Sequence, residues 1–305
     1  MPVGAMDARQ IPLADIGDPE LERWRRLARA ALEPNPFFEP EYLLAQARAL
    51  DPLAELALAV VVDGDDWVAC MPVSRARGWH RIPLGSVATW RGSRALPSLL
   101  GTPLLSSRDS AAPLVESLIA TDGASFVALD WLVDDGAVFE AIDGAIAHAG
   151  LKRLEFERFE RAFLTRRPEN DYFERSMKGK HRGVMRRRWR KLEAQLGGEP
   201  EVVDLTGDQD AVQELIEIEG ASRLAERGMV LKSDPAYERF FAEMCSGFAA
   251  AGRLQLHALR IGDRTLATRC NLVADPGLFY LKVAYDEAFS EFSPGIRLEV
   301  GSFDL

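Results

Sequence analysis

The sequence predicts an α+β protein made of two consecutive domains, each with a mixed, largely antiparallel sheet flanked by helices. The chain has 305 residues, which suits two domains of about 150 residues each. Patterns typical of β-hairpins alternate with patterns typical of helices, which favours α+β layers over a doubly wound parallel sheet. The order of these elements in the first half recurs in the second half. We therefore expect domains at residues 1–168 and 169–305, with a polar, proline-containing boundary around residues 166–171.

The first half begins with helix patterns and continues into an apolar hairpin. Asp18 and Pro19 are typical of a helix start, and Pro40 precedes a second helical pattern. The turn residues 63–65 separate two apolar runs, as in a β-hairpin. The predicted elements are helices from 18 and at 41–50, 111–120 and 135–149, and strands at 53–62, 66–74, 125–132, 152–159 and 162–166.

The second half repeats this plan. Its predicted elements are helices at 181–196, 208–225 and 235–251, and strands at 201–205, 253–261, 264–274 and 278–286. An offset of 198 residues superposes four identical residues of the two hairpins, namely Leu58 on Leu256, Gly64 on Gly262, Asp65 on Asp263 and Ala69 on Ala267. The shared order of elements around these identities predicts an internal duplication.

Composition and charge narrow the class of protein. Hydrophobic residues make up 47% of the chain and charged residues 28%, which is typical of a soluble globular protein. The net charge of −10 becomes −19 without residues 175–192, which carry nine Arg or Lys and no acid. So acidic a remainder argues against general nucleic-acid binding. The longest apolar run, residues 56–62, is too short to span a membrane, and the N-terminus lacks a secretory pattern, which predicts a cytoplasmic protein.

The three cysteines and four histidines have no metal-ligand spacing, so we expect no metal site and reduced, buried cysteines. Their positions are Cys70, Cys245 and Cys270.

Polar side chains alternate along the last predicted strand. Tyr280, Lys282 and Asp286 fall on one face of it, and Arg269 and Asn271 fall on one face of the preceding strand. If the two polar rows share a sheet face, all five side chains converge on one cleft, where pairing with Asp286 would offset the cost of burying Lys282. The alternative is a solvated sheet face with an ordinary ion pair.

A short loop and the start of a helix follow this strand. Pro294 has a fixed φ, and Gly295 allows a ligand to approach the backbone closely. Free N–H groups at such a helix start can hold a phosphate or pyrophosphate. Together with the preceding polar strand, this loop predicts a transferase with a phosphate-bearing donor, whereas the alternative is a plain turn.

Two helices carry further candidate residues. Met185, Trp189, Leu192 and Leu196 form an apolar stripe on the basic helix, and arginines such as Arg186 cover its other faces. That helix is either a cationic wall for an anionic donor or acceptor or a solvated face packed against the acidic body. Contact with RNA and with a membrane surface are further alternatives.

Glu219 lies near the apolar face of the predicted helix 208–225. Burial there would raise the pKa of its carboxyl group enough for a general base, and the alternative is a surface acid.

Five segments carry a resemblance to a known family. They are NPFFEPEY (35–42), the hairpin at 56–73, LLGTPLL (99–105), RGVMRRRWRKLE (182–193) and LKVAYDEAFSEFSPG (281–295). On these segments the chain resembles the GCN5-related N-acyltransferase (GNAT) superfamily. More narrowly, it is similar to the tandem-domain BioF2-like or CelD-like acetyltransferases, which are related to the FemX-like aminoacyltransferases. The resemblance implies two acyltransferase folds, with catalysis in the second and acetyl-CoA or another acyl-CoA as co-substrate.

The resemblance also implies roles for individual residues. The strand containing Val283 and Ala284 would pair with the pantetheine arm of the donor. The pyrophosphate would be held by Ser293, Gly295, Ile296 and Arg297. An acceptor amine or hydroxyl would attack the thioester directly, with Asp286 or Glu219 as the base and Lys282 beside it. Acceptor contacts would come from Arg269, Asn271, Tyr280 and Arg186.

The chain departs from the family pattern at three places. The loop reads FSPGIR instead of Q/R-x-x-G-x-G/A, and Ser222 is followed by Arg223-Leu224 instead of Trp-Lys. The superfamily fold continues beyond the loop helix with a further strand and helix, so we expect the second domain to be incomplete at its C-terminus. An exposed sheet edge and self-association would follow.

The predicted function is that of an acyl-CoA-dependent N- or O-acyltransferase in polysaccharide biosynthesis. Its acceptor would be a saccharide, a glycolipid or a small amine. Two alternatives stay open. One is aminoacyl transfer from a charged tRNA, which the basic helix favours. The other is a non-catalytic scaffold protein of an envelope or polysaccharide pathway.

Overall fold

The structure is a computed structural model, which describes residues 6–51, 55–76, 84–92, 97–169, 171–208 and 210–302. It divides into two compact units. The first comprises the described residues up to Phe156 together with Ala274–Gly277, and the second comprises Glu157–Val273 and the described residues from Leu278 onward. Each unit contains a sheet flanked by helices, so the predicted α+β class with two sheets is confirmed.

The first unit is built on a sheet with the strand order β1-β2-β3-β4-β6, and β5 pairs with β3. The pairs are antiparallel except for β4 with β6. Its elements are β1 (Asp7–Pro12), α1 (Asp18–Ala30), α2 (Pro40–Leu50), β2 (Leu56–Asp63), β3 (Asp66–Ala76), β4 (Ser86–Thr89), β5 (Leu104–Leu105), α3 (Ala111–Ile119), β6 (Phe126–Ala128) and α4 (Gly136–His148).

Large apolar side chains hold α1 and the following loop in the core of this unit. Trp24 and Leu27 of α1 are buried, and the indole N–H of Trp24 donates to the carbonyl of Phe38 at 2.8 Å. Gly17, one residue before the predicted start, occupies the N-cap position of α1. Apolar packing has no preferred direction, whereas this hydrogen bond fixes the orientation of the buried indole ring.

The strands predicted at 152–159 and 162–166 are wrong. Residues 151–167 have no regular secondary structure and are exposed, with Phe163 at 88% exposure. Only residues 126–128 of the predicted strand 125–132 form a ladder. An alternating apolar pattern does not by itself produce a strand, because the backbone must also pair with a neighbouring strand that the pattern does not specify. Residues 53 and 54 of another predicted strand, and residue 209 of a predicted helix, lie outside the described residues.

The second unit is built on a sheet with the strand order β10-β9-β8-β7. β7 pairs with β8, and β8 with β9, in the antiparallel sense. Its elements are α5 (Tyr172–Ser176), α6 (Gly179–Leu196), β7 (Glu201–Asp204), α7 (Ala211–Gly220), α8 (Pro235–Ala250), β8 (Leu254–Ile261), β9 (Arg264–Ala274), β10 (Gly277–Tyr285) and α9 (Pro294–Gly301). A 3-10 helix, Glu287–Phe292, joins β10 to α9.

Helices pack around an apolar cluster that joins α6, α9 and the 3-10 helix to the sheet. The cluster contains Leu192, Leu259, Leu266, Ala267, Phe289, Phe292 and Leu298. Leu192 lies on the predicted apolar stripe of α6, whose opposite side is exposed. The basic face of α6 therefore points away from this core.

The two hairpins are equivalent in strand length, in register and in the position of an irregularity. β2 and β8 each have eight residues, and β3 and β9 each have eleven. The register shifts between Val61 and Val62 in the first hairpin and between Leu259 and Arg260 in the second. These positions are related by the same offset of 198 residues, so the predicted repeat is confirmed for the hairpins.

The three cysteines are free and buried, as expected. Burial raises the pKa of the Cys70 and Cys245 thiols, so both stay protonated and unreactive at neutral pH. In the part of the chain that the structure describes, no helix is both long and apolar enough to cross a bilayer.

Candidate functional site

A buried carboxylate and a lysine of the edge strand form the first part of the site. Glu219 of α7 is 4% exposed. Its Oε2 accepts a hydrogen bond from the N–H of Leu231 at 2.8 Å, and its Oε1 pairs with Nζ of Lys282 on β10. Both carboxylate oxygens therefore have partners, which a buried charge requires.

Asp286 has a different partner from the one that the strand pattern suggests. Its Oδ1 accepts the N–H of Ala288 at 3.0 Å and so caps the 3-10 helix. Its Oδ2 pairs with Nη2 of Arg264 at 2.8 Å. The structure thus pairs Lys282 with Glu219 and Asp286 with Arg264, because α7 supplies a carboxylate beside β10 that a local pattern does not reveal.

The polar residues of β8 and β9 form two cross-strand pairs. His257 lies opposite Arg269, and Gln255 lies opposite Asn271. Nη2 of Arg269 donates to Nδ1 of His257 at 3.2 Å, and the amide groups of Gln255 and Asn271 meet at 2.8 Å. Arg269 and Asn271 thus have partners on β8, whereas Lys282 pairs with Glu219 of α7 and Asp286 with Arg264 of β9.

Arg269 is 3% exposed, and it also connects the sheet to α9. Its Nη1 pairs with Oε2 of Glu299. Burial, and then the charge of Arg269, lowers the pKa of His257. His257 is consequently neutral at pH 7, which allows its Nδ1 to accept the hydrogen bond.

Tyr280 of β10 lies within the electrostatic reach of the same residues. Burial, and then the charge of Glu299, raises the pKa of Tyr280 to about 12, while Arg269 opposes this shift. Its ring is half exposed. The hydroxyl group is therefore protonated at neutral pH and can donate a hydrogen bond at the sheet edge.

The loop before α9 leaves an N–H group free. Ser293 has a φ of 54°, a conformation that few residues other than glycine adopt. Its carbonyl accepts the N–H groups of Ile296 and Arg297 at 3.1 and 3.2 Å. Pro294 has no N–H group, and among the described residues the N–H of Gly295 has no acceptor. This free donor lies at the positive end of the α9 dipole.

Gly295 packs against β10 with room for a methyl group. A Cβ atom placed on Gly295 would lie 3.6 Å from Cγ2 of Val283 and 4.0 Å from the ring of Tyr285, which is ordinary contact. Alanine therefore fits against the protein. Ala284, beside Val283, is buried, and Ile296 is exposed on α9.

Arg188 of α6 adds a positive charge to the loop. Its Nη1 donates to Oγ of Ser293 at 3.3 Å, and its side chain is exposed. Sequence reasoning missed this residue because a run of arginines does not show which member faces the loop. It also missed His257 and Glu299. The offset of 198 residues could have pointed to His257, because it aligns this histidine with the apolar residue Ala59 of the first hairpin.

Arg297, predicted to contact the donor, is largely buried and paired with carboxylates. Its Nη1 lies 2.7 Å from Glu193 and its Nη2 lies 3.3 Å from Glu199. A cavity of about 950 Å³ lies between α6, β7 and α9. It is lined by Arg297 and its partners Glu193 and Glu199, and by Arg186 and Trp189. The charge of Arg297 is thus compensated within the protein.

Metal binding finds no support in the described residues, where no three His, Cys, Asp or Glu side chains come together as ligands.

Comparisons with known proteins found one family model and two similar solved structures. Residues 179–300 match the family model described as "Acetyltransferase (GNAT) domain". The crystal structure of FemX matches with a TM-score of 0.57 at 10% identity, covering 97% of this chain and 85% of the FemX chain. An aminoglycoside N-acetyltransferase in complex with CoA matches with a TM-score of 0.32 at 17% identity, covering 54% and 99% of the two chains. No curated protein matches.

The family-model match supports the predicted relation to the GNAT superfamily for residues 179–300, and the FemX match supports the predicted two-domain fold. The family model shows an acyltransferase domain in the second half of the chain, which confirms the predicted enzyme class. At 10% identity, the likeness to FemX shows the shared fold alone.

Proposed function

We propose that the protein transfers an acyl group from acyl-CoA, because residues 179–300 match the family model of a GNAT acetyltransferase domain. The acceptor we propose is an amine or hydroxyl group of a saccharide, a glycolipid or a small amine. The observation that carries the proposal is the free N–H of Gly295 in the loop where Arg188 contacts Ser293, one 3-10 helix after the edge strand β10.

The donor would occupy the edge of the sheet and the start of α9. The pyrophosphate would meet the helix start at Ser293, Gly295 and Ile296, where an N–H group and the helix dipole favour an anion. The pantetheine arm would run along Val283 and Ala284 of β10, whose backbone lies at the edge of the described sheet. Such an edge offers backbone groups to an extended ligand. Arg297 would act by bracing α9 through Glu193.

The reaction would be a direct transfer. The acceptor nitrogen or oxygen forms a bond to the thioester carbonyl carbon, the carbon–sulfur bond breaks, and the acceptor proton passes to a base. The thiolate then takes a proton and leaves as CoA. Glu219 is our first candidate for the base because it is buried beside β10 and its charge is balanced by Lys282. Asp286 would have to leave its capping hydrogen bond first.

Acceptor contacts would come from groups that remain accessible. Tyr280 is half exposed on the edge strand, and Arg186 lines the cavity beside α6. Arg269 and Asn271, which the sequence also suggests as acceptor contacts, are almost fully buried and have protein partners.

The test is thermal unfolding with and without acetyl-CoA, beside a longer acyl-CoA. A ligand at about 100 times its Kd stabilises the folded state by ~2.7 kcal/mol, a rise of a few degrees in Tm. Gly295→Ala should remove this rise without lowering the Tm of the free protein, since the methyl group fits. Gly144→Ala in α4, where a Cβ meets nothing within 4 Å, is the matched control and should keep the rise. A wild-type Tm that acetyl-CoA leaves unchanged would overturn the acyl-CoA donor.

A charged tRNA is the second candidate donor, and the basic face of α6 favours it. Lys180, Arg187, Arg190 and Lys191 are exposed there, and within the described ranges none of them pairs with a carboxylate. Binding of tRNA should then weaken with rising salt, with log K falling by about 0.7–0.9 per phosphate contact. The double substitution Arg187→Gln/Lys191→Gln should reduce that slope, whereas Arg227→Gln/Arg239→Gln, at exposed positions of the same unit, should not. Equal slopes in both variants would exclude this donor surface.

A further inference from the structure

The two equivalent hairpins differ at the positions that face each other across the strands. In the first hairpin, Ala59 lies opposite Met71 and Ala57 lies opposite Val73. At the same offset of 198 residues, the second hairpin has His257 opposite Arg269 and Gln255 opposite Asn271. Apolar pairs in one copy therefore correspond to polar pairs in the other.

The hairpin itself does not need the polar pairs. The first copy reaches the same strand lengths, the same register and the same irregularity with alanine, methionine and valine. Burying a guanidinium group is unfavourable unless several partners satisfy it. We therefore expect Arg269 of the second copy to interact with a partner outside the hairpin.

The partner of Arg269 outside the hairpin lies on α9. Nη1 of the Arg269 guanidinium pairs with Glu299, about one and a half turns after the start of α9, and Nη2 donates to His257. Glu299 is partly exposed. On the opposite side, Arg297 ties α9 to Glu193 of α6. The helix that starts at the free N–H of Gly295 is thus held from the sheet side by one buried cation.

We propose that Arg269 is a positioning residue. Through its ion pair with Glu299 it holds α9 in the position in which the first turn of the helix contacts the donor. His257 orients the guanidinium by accepting one of its N–H groups, so that another remains directed at Glu299. The link to the donor rests on the function proposed above, whereas the hold on α9 does not.

The test transplants the apolar pair of the first hairpin into the second. His257→Ala/Arg269→Met places the counterparts Ala59 and Met71 at the same register. The matched control, Gln255→Ala/Asn271→Val, removes the neighbouring polar pair, for which no contact with α9 is found among the described residues. Glu299→Gln, a single change at a partly exposed position, tests the same link without altering the sheet.

Two measurements separate this proposal from the proposed function. Hydrogen–deuterium exchange of the α9 amides should rise at least about tenfold in the transplant and in Glu299→Gln, with exchange in α7 and α8 unchanged. The Kd for acetyl-CoA, measured by calorimetry, should weaken by about tenfold in the same two variants. The control pair should change neither quantity.

The outcomes are distinct. Unchanged α9 exchange in Glu299→Gln, or equal acceleration in the control pair, would overturn the positioning role. If the wild type does not bind acetyl-CoA while α9 exchange still rises in both test variants, the positioning role stands and the proposed donor fails. If acetyl-CoA binds and its Kd is the same in all variants while exchange rises, the hold on α9 stands and its effect on the donor is overturned.

Discussion

The buried polar groups of the two units differ in charge. In the first unit they are mostly amides and hydroxyls, such as Asn35, Gln46 and Thr102, with Glu39 as a charged exception. In the second unit they include Glu219, His257, Arg269 and Arg297. Neutral groups can satisfy each other at little cost, whereas buried ions demand partners and lose much when a partner is removed. The charged set of the second unit is arranged around β10 and α9, the two elements of the candidate site.

Asn35 illustrates the structural use of a neutral group. Its Oδ1 accepts the N–H of Phe37 at 3.1 Å, and its Nδ2 donates to the carbonyl of Thr102 at 2.7 Å. One side chain therefore satisfies the start of a 3-10 helix and a separate loop. No charge is involved, so the contact fixes geometry without preparing the site for an ionic ligand.

The largest expected effect in this comparison comes from Glu219→Gln. The amide oxygen can still accept the N–H of Leu231, so the fold should persist, but the base and the partner of Lys282 are lost. Removing a general base lowers turnover by about 10²- to 10⁴-fold. Acyl-CoA-dependent release of CoA, followed with a thiol reagent, measures this loss. Turnover above half of the wild-type value would remove Glu219 from the mechanism.

The reciprocal change in the first unit is Asn35→Ala. It leaves a buried N–H and a buried carbonyl unsatisfied, which should reduce the free energy of unfolding by about 1–3 kcal/mol. Chemical denaturation measures this loss. Turnover per folded molecule should equal that of the wild type. A drop comparable to that of Glu219→Gln would contradict the purely structural role of Asn35 in the first unit.

Asp286→Ala should have a smaller effect on stability and separates the two candidate bases. The change removes the cap on Ala288 and the pair with Arg264, and loss of such a cap costs about 1 kcal/mol. Because Glu219 is our first candidate for the base, we expect turnover within a few-fold of the wild type. A loss as large as that of Glu219→Gln would transfer the role of base to Asp286.

The smallest expected effect is a pH dependence that arises from His257. Its pKa in the folded state lies below the ordinary value of 6.5, so the unfolded chain binds the proton more tightly. The corresponding stability is fully present above about pH 6.5 and is lost as the pH falls through the lower folded value. Protonation would also place two cations side by side, since Arg269 is 3.2 Å away.

Unfolding curves measured between pH 7.5 and 5 test this sign. The wild type should lose Tm over this range more steeply than His257→Ala/Arg269→Met, whose hairpin matches the uncharged first copy. Asp204, whose pKa lies below its usual value, titrates below this window and should not contribute. A steeper loss in the variant than in the wild type would contradict the assignment to His257.

Much of the fold could be predicted because its signals are local. The turns at Gly64 and Gly262, the apolar runs beside them and the offset of 198 residues indicated both hairpins. The loop before α9 was likewise visible from Pro294 and Gly295. The predicted strands at 152–166 failed, because an alternating pattern does not say whether a neighbouring strand is present to pair with it.

The sequence by itself predicted most of the helices, both hairpins with their repeat, and the resemblance of the second half to an acetyltransferase domain. Only the tertiary structure decided which charges meet. Glu219 and Lys282, 63 positions apart in the numbering, become partners because α7 lies beside β10. Arg269, predicted as an acceptor contact, pairs with Glu299 of α9. Spacing along a chain specifies the face of a strand, whereas the partner of a buried charge depends on which distant element covers that face.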